Sequence, residues 1–586
     1  YSTSSAFFES LAQAGVSYVF VNLGSDHPAI MEALAAETRR SGTSKGPSKF
    51  PKVITVPHEF VALSMADGFA RLTGKPQCVL VHVDVGTQGL GCAMHNSSIA
   101  RSPVLVFAGL SPYTLEGELR GSRTEYIHWL QDVPDQKAIV AQYCRYAGEF
   151  KTGRNVKQMV NRALQLATSD PKGPAYLMGA REVMEEEIDE YDLDQEVWHG
   201  IEPAGLSPAG VENIVETLVT AERPVIVVGY TGRNHATVPL LVKLAEAIPG
   251  VRVIDALGSD VCFPFSHRAY IGVRIGKHAA ISGADAILVL DCDVPWIPTQ
   301  CPLSPGVKIL EVGVDPLKQN MPLHYIPATH RYRADAAVAL QQLNDFVATR
   351  HVDLASQEPF VSRWTALEQT RREEIKAADR LAAPPADLQA TPASTSFLCS
   401  ELRKACPEDT IWCIEAVSNA MFVYDQLRVD KPGHLVNGGG GGLGWSGGGT
   451  LGVKLAADYL GQGNFVCEIV GDGTYLFGVP STVYWVARRY KLPTLTIVLS
   501  NKGWNAPRIS MELVHPQGHG SQVSNEDLNI SFSPTPDFAG IARSASGNTA
   551  YAAVVRTAGD LLRVLPEAVA AVQGGVSAII EARVQG

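Results

Sequence analysis

The chain has 586 residues, of which 46% are hydrophobic and 19% charged, and its formal net charge is −11. That length exceeds what one core holds and predicts two to four domains, while the acidic balance, with no basic block or aromatic-basic stripe, argues against nucleic acid as a partner. No apolar stretch approaches the roughly 18 residues of a membrane span, no signal peptide is visible, and the ten cysteines, with no C-x-x-C pair, suggest a reducing cytoplasm rather than a zinc site or a disulfide framework.

Strand-like and helix-like segments alternate almost throughout, which predicts α/β domains built on doubly wound parallel sheets. Two linker-like stretches, the acidic "EEEIDEYDLDQE" (185–196) and the Pro/Ala/Ser-rich "AAPPADLQATPASTS" (382–396), divide the chain into blocks 1–190, 200–380 and 390–586. In the first block, the strand "VSYVFVNLG" runs into Ser25, Asp26 and His27, and the strand "KVITV" leads to "HEFVALSMADGFARLTG". His58 and Glu59 begin an H-E-x-x-H zinc motif, but position 62 is Ala, so the motif is incomplete. In isolation Glu59 reads as a helix-start carboxylate favoured by the helix dipole. His82 closes the strand "CVLVHV"; a histidine there is either a hydrogen-bonded strand end or a proton shuttle working near neutral pH.

The second block carries the strands "RPVIVVGYTG", "RVIDALG" and "DAILVLDC". It has no G-x-G-x-x-G or Walker sequence, so no second cofactor is assigned to it.

The third block holds the glycine run "NGGGGGLGWSGGGTLG" (437–452). A floppy low-complexity loop fits it poorly, because "HLVN" precedes it and "GTLGVKLAADYL" continues as a helix. Next come the apolar runs "NFVCEIV" and "LPTLTIVLS", closed by Gly471-Asp472-Gly473 and by Asn501-Lys502-Gly503. Gly, Asp and Asn all suit tight turns. Yet Asn501 follows Asp472 by 29 residues, enough for one helix and one strand returning parallel, and ligands gather outside the carboxyl ends of such strands. Mg²⁺ takes octahedral oxygen ligands shared with phosphate. The Asp472 carboxylate, the Asn501 amide oxygen and the Gly503 carbonyl supply three, and the amides of Gly473 and Thr474 would meet a diphosphate at the helix start.

With its G-D-G, about thirty residues, then Asn, the chain resembles the thiamine diphosphate (ThDP) enzymes. Over essentially its full length it is similar to the group of acetohydroxyacid synthase, pyruvate decarboxylase and benzoylformate decarboxylase. The resemblance implies a pyrimidine-binding, a central and a diphosphate-binding domain, with ThDP and Mg²⁺ as cofactors. It implies that Glu59 hydrogen-bonds the pyrimidine nitrogen and activates the cofactor. Within "GGLGW", Leu443 would wedge between the two rings and the Gly441 carbonyl would accept from the exocyclic amine; "IEAVSNAMF" would bring Ser418 and Asn419 near the diphosphate. "VFVNLGSDHP" and "VLVHVDVGTQG" resemble the benzoylformate decarboxylase loops that hold its active-site serine and histidine, implying substrate-side roles for Ser25 and His82, with Asp26 and His27 as further candidates. Where that enzyme carries its second histidine this chain has "DVPWIPTQ", so the resemblance implies that Trp296 and Ile297 wall an apolar pocket there, with Trp296 a further substrate-side candidate. The chain departs from the synthases at Val85, which stands where their loop has proline, and it lacks the paired histidines of pyruvate decarboxylase, having only His128 in that stretch. The implied activity is a 2-oxo acid decarboxylase or carboligase. A lyase of 2-hydroxyacyl-CoA thioesters and a non-catalytic regulatory paralogue are the alternatives. Glu59 lies in the first block and the metal ligands in the third, and in this family the two meet across a subunit interface, so a homodimer or homotetramer with sites shared between chains is expected.

Overall fold

The structure, a computed structural model, describes residues 1–44 and 48–584. Three six-stranded sheets organise it, and every pairing within them is parallel. The first contains β1 (Tyr18–Val21), β2 (Lys52–Thr55), β3 (Gln77–Val81), β4 (Val104–Leu110), β5 (Tyr146–Phe150) and β6 (Ala175–Ala180), in the order β2-β1-β3-β4-β6-β5. The central sheet contains β7 (Pro224–Val228), β8 (Arg252–Asp255), β9 (Tyr270–Val273), β10 (Ala286–Leu290), β11 (Lys308–Gly313) and β12 (His330–Arg333), in the order β12-β11-β10-β7-β8-β9. The third contains β13 (Ile411–Glu415), β14 (Leu435–Asn437), β15 (Val466–Gly471), β16 (Leu495–Ser500), β17 (Tyr551–Val555) and β18 (Ala578–Arg583), in the order β14-β13-β15-β16-β18-β17. Counted from its own first strand, the third sheet repeats the order of the first, whereas the central sheet reverses direction between β7 and β10. Most strands are uninterrupted apolar runs because helices cover both sheet faces.

Two helices weld the outer domains together. The glutamate helix (Glu59–Thr73) starts where the His58 side chain accepts from the Phe60 amide, and it stops at Gly74, whose φ of 69° lies in the left-handed region. The glycine helix (Trp445–Tyr459) begins earlier than its sequence suggests and runs through Gly447, Gly448 and Gly449. Each interior glycine costs about 1 kcal/mol relative to alanine; here the absent side chains permit near-contact of backbones. A Cβ on Gly68 would lie 2.2 Å from the Gly449 carbonyl oxygen, and one on Gly452 would lie 2.0 Å from that of Met65. Around this crossing Phe60, Val61, Met65 and Phe69 share one core with Trp445, Leu451 and Val453, and the Trp445 indole donates to the buried Asp67 carboxylate at 2.9 Å.

The central domain is tied on differently. Arg101 reaches from the first domain to the strand ends where the central sheet reverses. It donates to Asp291 at 2.6 Å and Asp293 at 2.9 Å, with its guanidinium 4.3 Å above the Tyr230 ring. The crevice in which such sheets commonly hold ligands is thus partly filled by the chain's own arginine. Among the described residues, no helix is long and apolar enough to cross a membrane.

Candidate active site

Polar groups collect at the carboxyl ends of the first and third sheets. At the first, Glu59 opens the glutamate helix, and its Oε1 accepts from the side-chain amide of Asn22, just beyond β1, at 2.5 Å. The carboxylate lies against Gly89, where a Cβ would come within 2.8 Å of Oε2. Asp26 is buried and accepts through Oδ1 from the His82 imidazole and through Oδ2 from the Val83 amide at 3.0 Å. His27, also buried, brings its Nε2 to 3.2 Å from Asp26 Oδ2 while its Nδ1 accepts from the Gly24 amide at 3.0 Å. Ser25 is half-buried beside them. His82 is half-buried, and its Nε2 is 3.0 Å from the side-chain nitrogen of Gln131. Burial by itself lowers the His82 pKa, but the Asp26 carboxylate outweighs it, aided by Gln131 and Glu59, and the net shift is upward.

At the third sheet, β15 and β16 lie in register with Gly471 opposite Leu499, so Asp472 and Asn501 emerge side by side. Two helices link these strands, Asp472–Phe477 and Pro480–Tyr490, instead of the single one expected; Pro480, with no amide hydrogen to donate, starts the second. Asp472 is buried; its Oδ1 accepts from the Gly473 amide at 2.8 Å and its Oδ2 from the amides of Asn501 at 3.2 Å and Lys502 at 2.9 Å. Burial raises its carboxyl pKa against the pull of those amides, and no lysine or arginine forms an ion pair with it among the described residues. The side-chain oxygen of Asn501 is buried and has no hydrogen-bond partner. Gly503 has φ +150°, and a Cβ there would sit 2.1 Å from the Ile530 carbonyl oxygen, so only glycine fits. Gly473 is roofed by the Trp504 ring, and Thr474 is buried behind it. An unpaired buried carboxylate beside an orphaned amide oxygen is an all-oxygen donor set, which suits a hard divalent cation and leaves the site short of one positive charge.

The turn before the glycine helix is held from two sides. Gly441, exposed, donates its amide to His95 at 3.0 Å, and Gly442 pairs reciprocally with the Asn96 side chain at 2.9 and 2.7 Å. From below, Glu415 at the end of β13 accepts from the amides of Gly444 at 3.0 Å and Ser446 at 2.7 Å, and burial pushes its pKa up to about 7. Leu443 sits half-buried between these clamps. Ser418 is exposed, and Asn419 accepts from the Thr395 hydroxyl at 3.1 Å. Both belong to the turn Val417–Asn419, against which the helix Asn505–Val514 rests. That helix buries none of its residues and exposes Leu513 and Val514.

Trp296, expected to wall a pocket, is only 2% exposed; it packs edge-on to Tyr325 inside the core of the central domain. Ile297 is half-buried over Gly276. Among the described residues, no hydrogen bond or ion pair joins Glu59 or His82 to Asp472 or Asn501 within one chain. Residues around the site that escape sequence reasoning include Asn22, His95, Asn96, Gln131 and Glu415. Asn22 and Glu415 end apolar runs and could have been flagged by the rule that sent attention to Asp472. Gln131 carries no such mark.

Three family models match the chain: "Thiamine pyrophosphate enzyme, N-terminal TPP binding domain" over residues 2–139, the central domain of the same enzymes over 211–343, and their C-terminal TPP binding domain over 415–582. The chain is similar to a benzoylformate decarboxylase of Pseudomonas aeruginosa, 24% identical over 573 residues, which covers 94% of this chain and 93% of the relative. It is also similar to an acetolactate synthase of Bacillus subtilis, 23% identical over 509 residues, covering 84% and 80%. Among solved structures, a thiamine diphosphate-dependent 4-hydroxybenzoylformate decarboxylase of Rhodococcus jostii RHA1 superposes with a TM-score of 0.76 at 22% identity, covering 100% of this chain and 99% of that one. A benzoylformate decarboxylase of Polynucleobacter necessarius gives 0.78 at 18%, covering 100% and 98%.

Proposed function

Because the chain belongs to the thiamine pyrophosphate enzymes, matched in each of their three domains, we propose that it is a ThDP- and Mg²⁺-dependent 2-oxo acid decarboxylase or carboligase. The observation that carries the reading is the buried Asp472 carboxylate, without a cationic partner, next to the partnerless oxygen of Asn501.

Asp472, Asn501 and the Gly503 carbonyl would hold Mg²⁺, and the amides of Gly473 and Thr474, with Ser418 and Asn419, would receive the diphosphate. Leu443 and the Gly441 carbonyl, fixed by the Glu415 and Asn96 clamps, would set the cofactor's bend. ThDP when bound supplies a nucleophilic carbon that makes and breaks bonds next to a carbonyl. The protein contributes positions and protons. Glu59, steered by Asn22, holds a proton at its carboxylate, and His82 moves one at Nε2 on the substrate side. Glu59 lies in the first domain and the metal ligands in the third, and the resemblance to enzymes whose sites are shared between chains supports a homodimer, alone or paired into a tetramer, with each site built from two chains. The cysteines are all free, which favours a cytoplasmic setting.

The test is a screen of aromatic and aliphatic 2-oxo acids, with and without acceptor aldehydes, following CO₂ and ketol products. CO₂ release that disappears on chelation and returns with Mg²⁺ and ThDP is the expected result. Full activity in protein shown by mass analysis to contain no ThDP overturns the reading.

A further inference from the structure

The cluster around His82 is more finely built than a lone proton shuttle requires. Two glycines clear its space: a Cβ on Gly24 would stand 2.0 Å from His82 Nδ1, and one on Gly109 would stand 1.6 Å from Asp26 Oδ2. Since His82 Nδ1 faces the Asp26 carboxylate, that nitrogen carries a hydrogen, and Nε2 of the neutral ring presents its lone pair. Opposite that lone pair stands the NH₂ end of Gln131, 3.0 Å away. The other end of the same amide, Oε1, is buried with no partner, and Gln131 is only 7% exposed. A buried amide oxygen without a partner costs free energy, and a change of protonation at His82 would give it one. When Nε2 takes up a proton it becomes a donor, and turning the Gln131 amide end for end brings that idle oxygen to receive it.

We propose that Asp26, His82 and Gln131 form one proton-handling unit: Asp26 fixes the imidazole tautomer, and Gln131, by reversing its amide, serves Nε2 in both protonation states. In this unit His82 meets the substrate, and Asp26 and Gln131 are positioning residues. The inference rests on the proposed function for the part His82 plays in turnover, though not for its geometry. Each cycle takes one proton onto Nε2 and returns it, so the protein ends unchanged. The charged or titratable groups facing His82 are Asp26, Glu59 and His27. Burial lowers the pKa of His27 against the pull of Asp26, whose other oxygen faces His82.

Histidine C2 hydrogen–deuterium exchange, read by mass spectrometry across pH on the full-length holoenzyme, gives a midpoint for His82 itself. The wild-type midpoint is expected above the ordinary value of about 6.5. Asp26→Asn should lower it by about one unit or more, and Gln131→Glu, which fixes an acceptor opposite Nε2, should raise it. Gln131→Leu should cut kcat about tenfold, with KM changing less than about twofold. An unchanged midpoint in Asp26→Asn, or a lowered one in Gln131→Glu, overturns the unit; if Asp26→Asn fails to fold, the Gln131 variants decide alone. His82→Ala separates this inference from the reading beneath it. Unaltered kcat with every accepted acid removes His82 from turnover, while the exchange midpoints still judge the unit.

Discussion

The first and third sheets share one strand order, yet their carboxyl ends are furnished in opposite ways. At the first, the charged groups have partners: Glu59 meets Asn22, and Asp26 meets His82, which in turn meets Gln131, whose own Oε1 lacks a donor. At the third, a buried carboxylate lacks a counter-charge and an amide oxygen lacks a donor. A carboxylate already paired with a histidine is suited to passing protons, whereas a buried carboxylate without a counter-charge is suited to a cation. One scaffold therefore serves two chemistries, because the sheet decides only where strand ends point and the residues beyond them decide the rest. The central sheet, of different order, turns its crevice to another use by receiving Arg101.

The contrast breaks most severely at the third sheet. Asp472→Ala removes the charged group among the ligands proposed for the metal, so retained ThDP and Mg²⁺, quantified after gel filtration, should fall to background and take turnover with them. Glu59→Gln should spare binding and strike the proton work, so ThDP is retained while turnover drops about 10²- to 10⁴-fold. Equal loss of cofactor in both variants would erase the distinction between the clusters. Mixing the two inactive chains tests whether the clusters join across subunits. With random exchange, half the dimers are mixed and half their sites intact, so roughly a quarter of wild-type activity should return; verified exchange without recovery would place each site within one chain.

Smaller effects probe what holds the clusters in place. Gly68→Ala forces a Cβ against the Gly449 carbonyl and should destabilise the fold by about 1–3 kcal/mol, read as a lowered unfolding temperature. An effect of similar size concerns Glu415. Its carboxyl is raised to about 7 in the folded chain, above its unfolded value of about 4.3. The folded state therefore binds the proton more tightly, and the stability this adds is complete below about pH 4 and lost as pH rises through about 7. Glu415→Gln should flatten that decline, by at most about 1.4 kcal/mol per pH unit, measured by thermal unfolding at pH 5 and pH 7.5.

Much of this was legible in the sequence, for reasons that also mark its limits. Strands buried on both faces are uninterrupted apolar runs, and Asp472 and Asn501 stand out because each closes one. Gln131 was not legible because it meets His82 from a segment 49 residues away and nothing local distinguishes it. The start of the glycine helix was hidden because Gly447 to Gly449 look like a loop until the backbone of the glutamate helix is laid against them. Trp296 shows a third limit: an apolar residue near a strand end looks the same whether it walls a pocket or fills a core.

The crossing of the glutamate and glycine helices also sets a timetable for synthesis. The surface that Phe60, Val61, Met65 and Phe69 present to the glycine helix is covered only once residues near 449 have left the ribosome, some 380 residues after Gly68. At 5–20 residues per second this is a delay of roughly 20–80 s, during which the central domain is made and the first domain waits with part of its core open. For that interval the nascent chain is a natural client for chaperones, and a ribosome stalled within residues 200–380 would leave an aggregation-prone fragment.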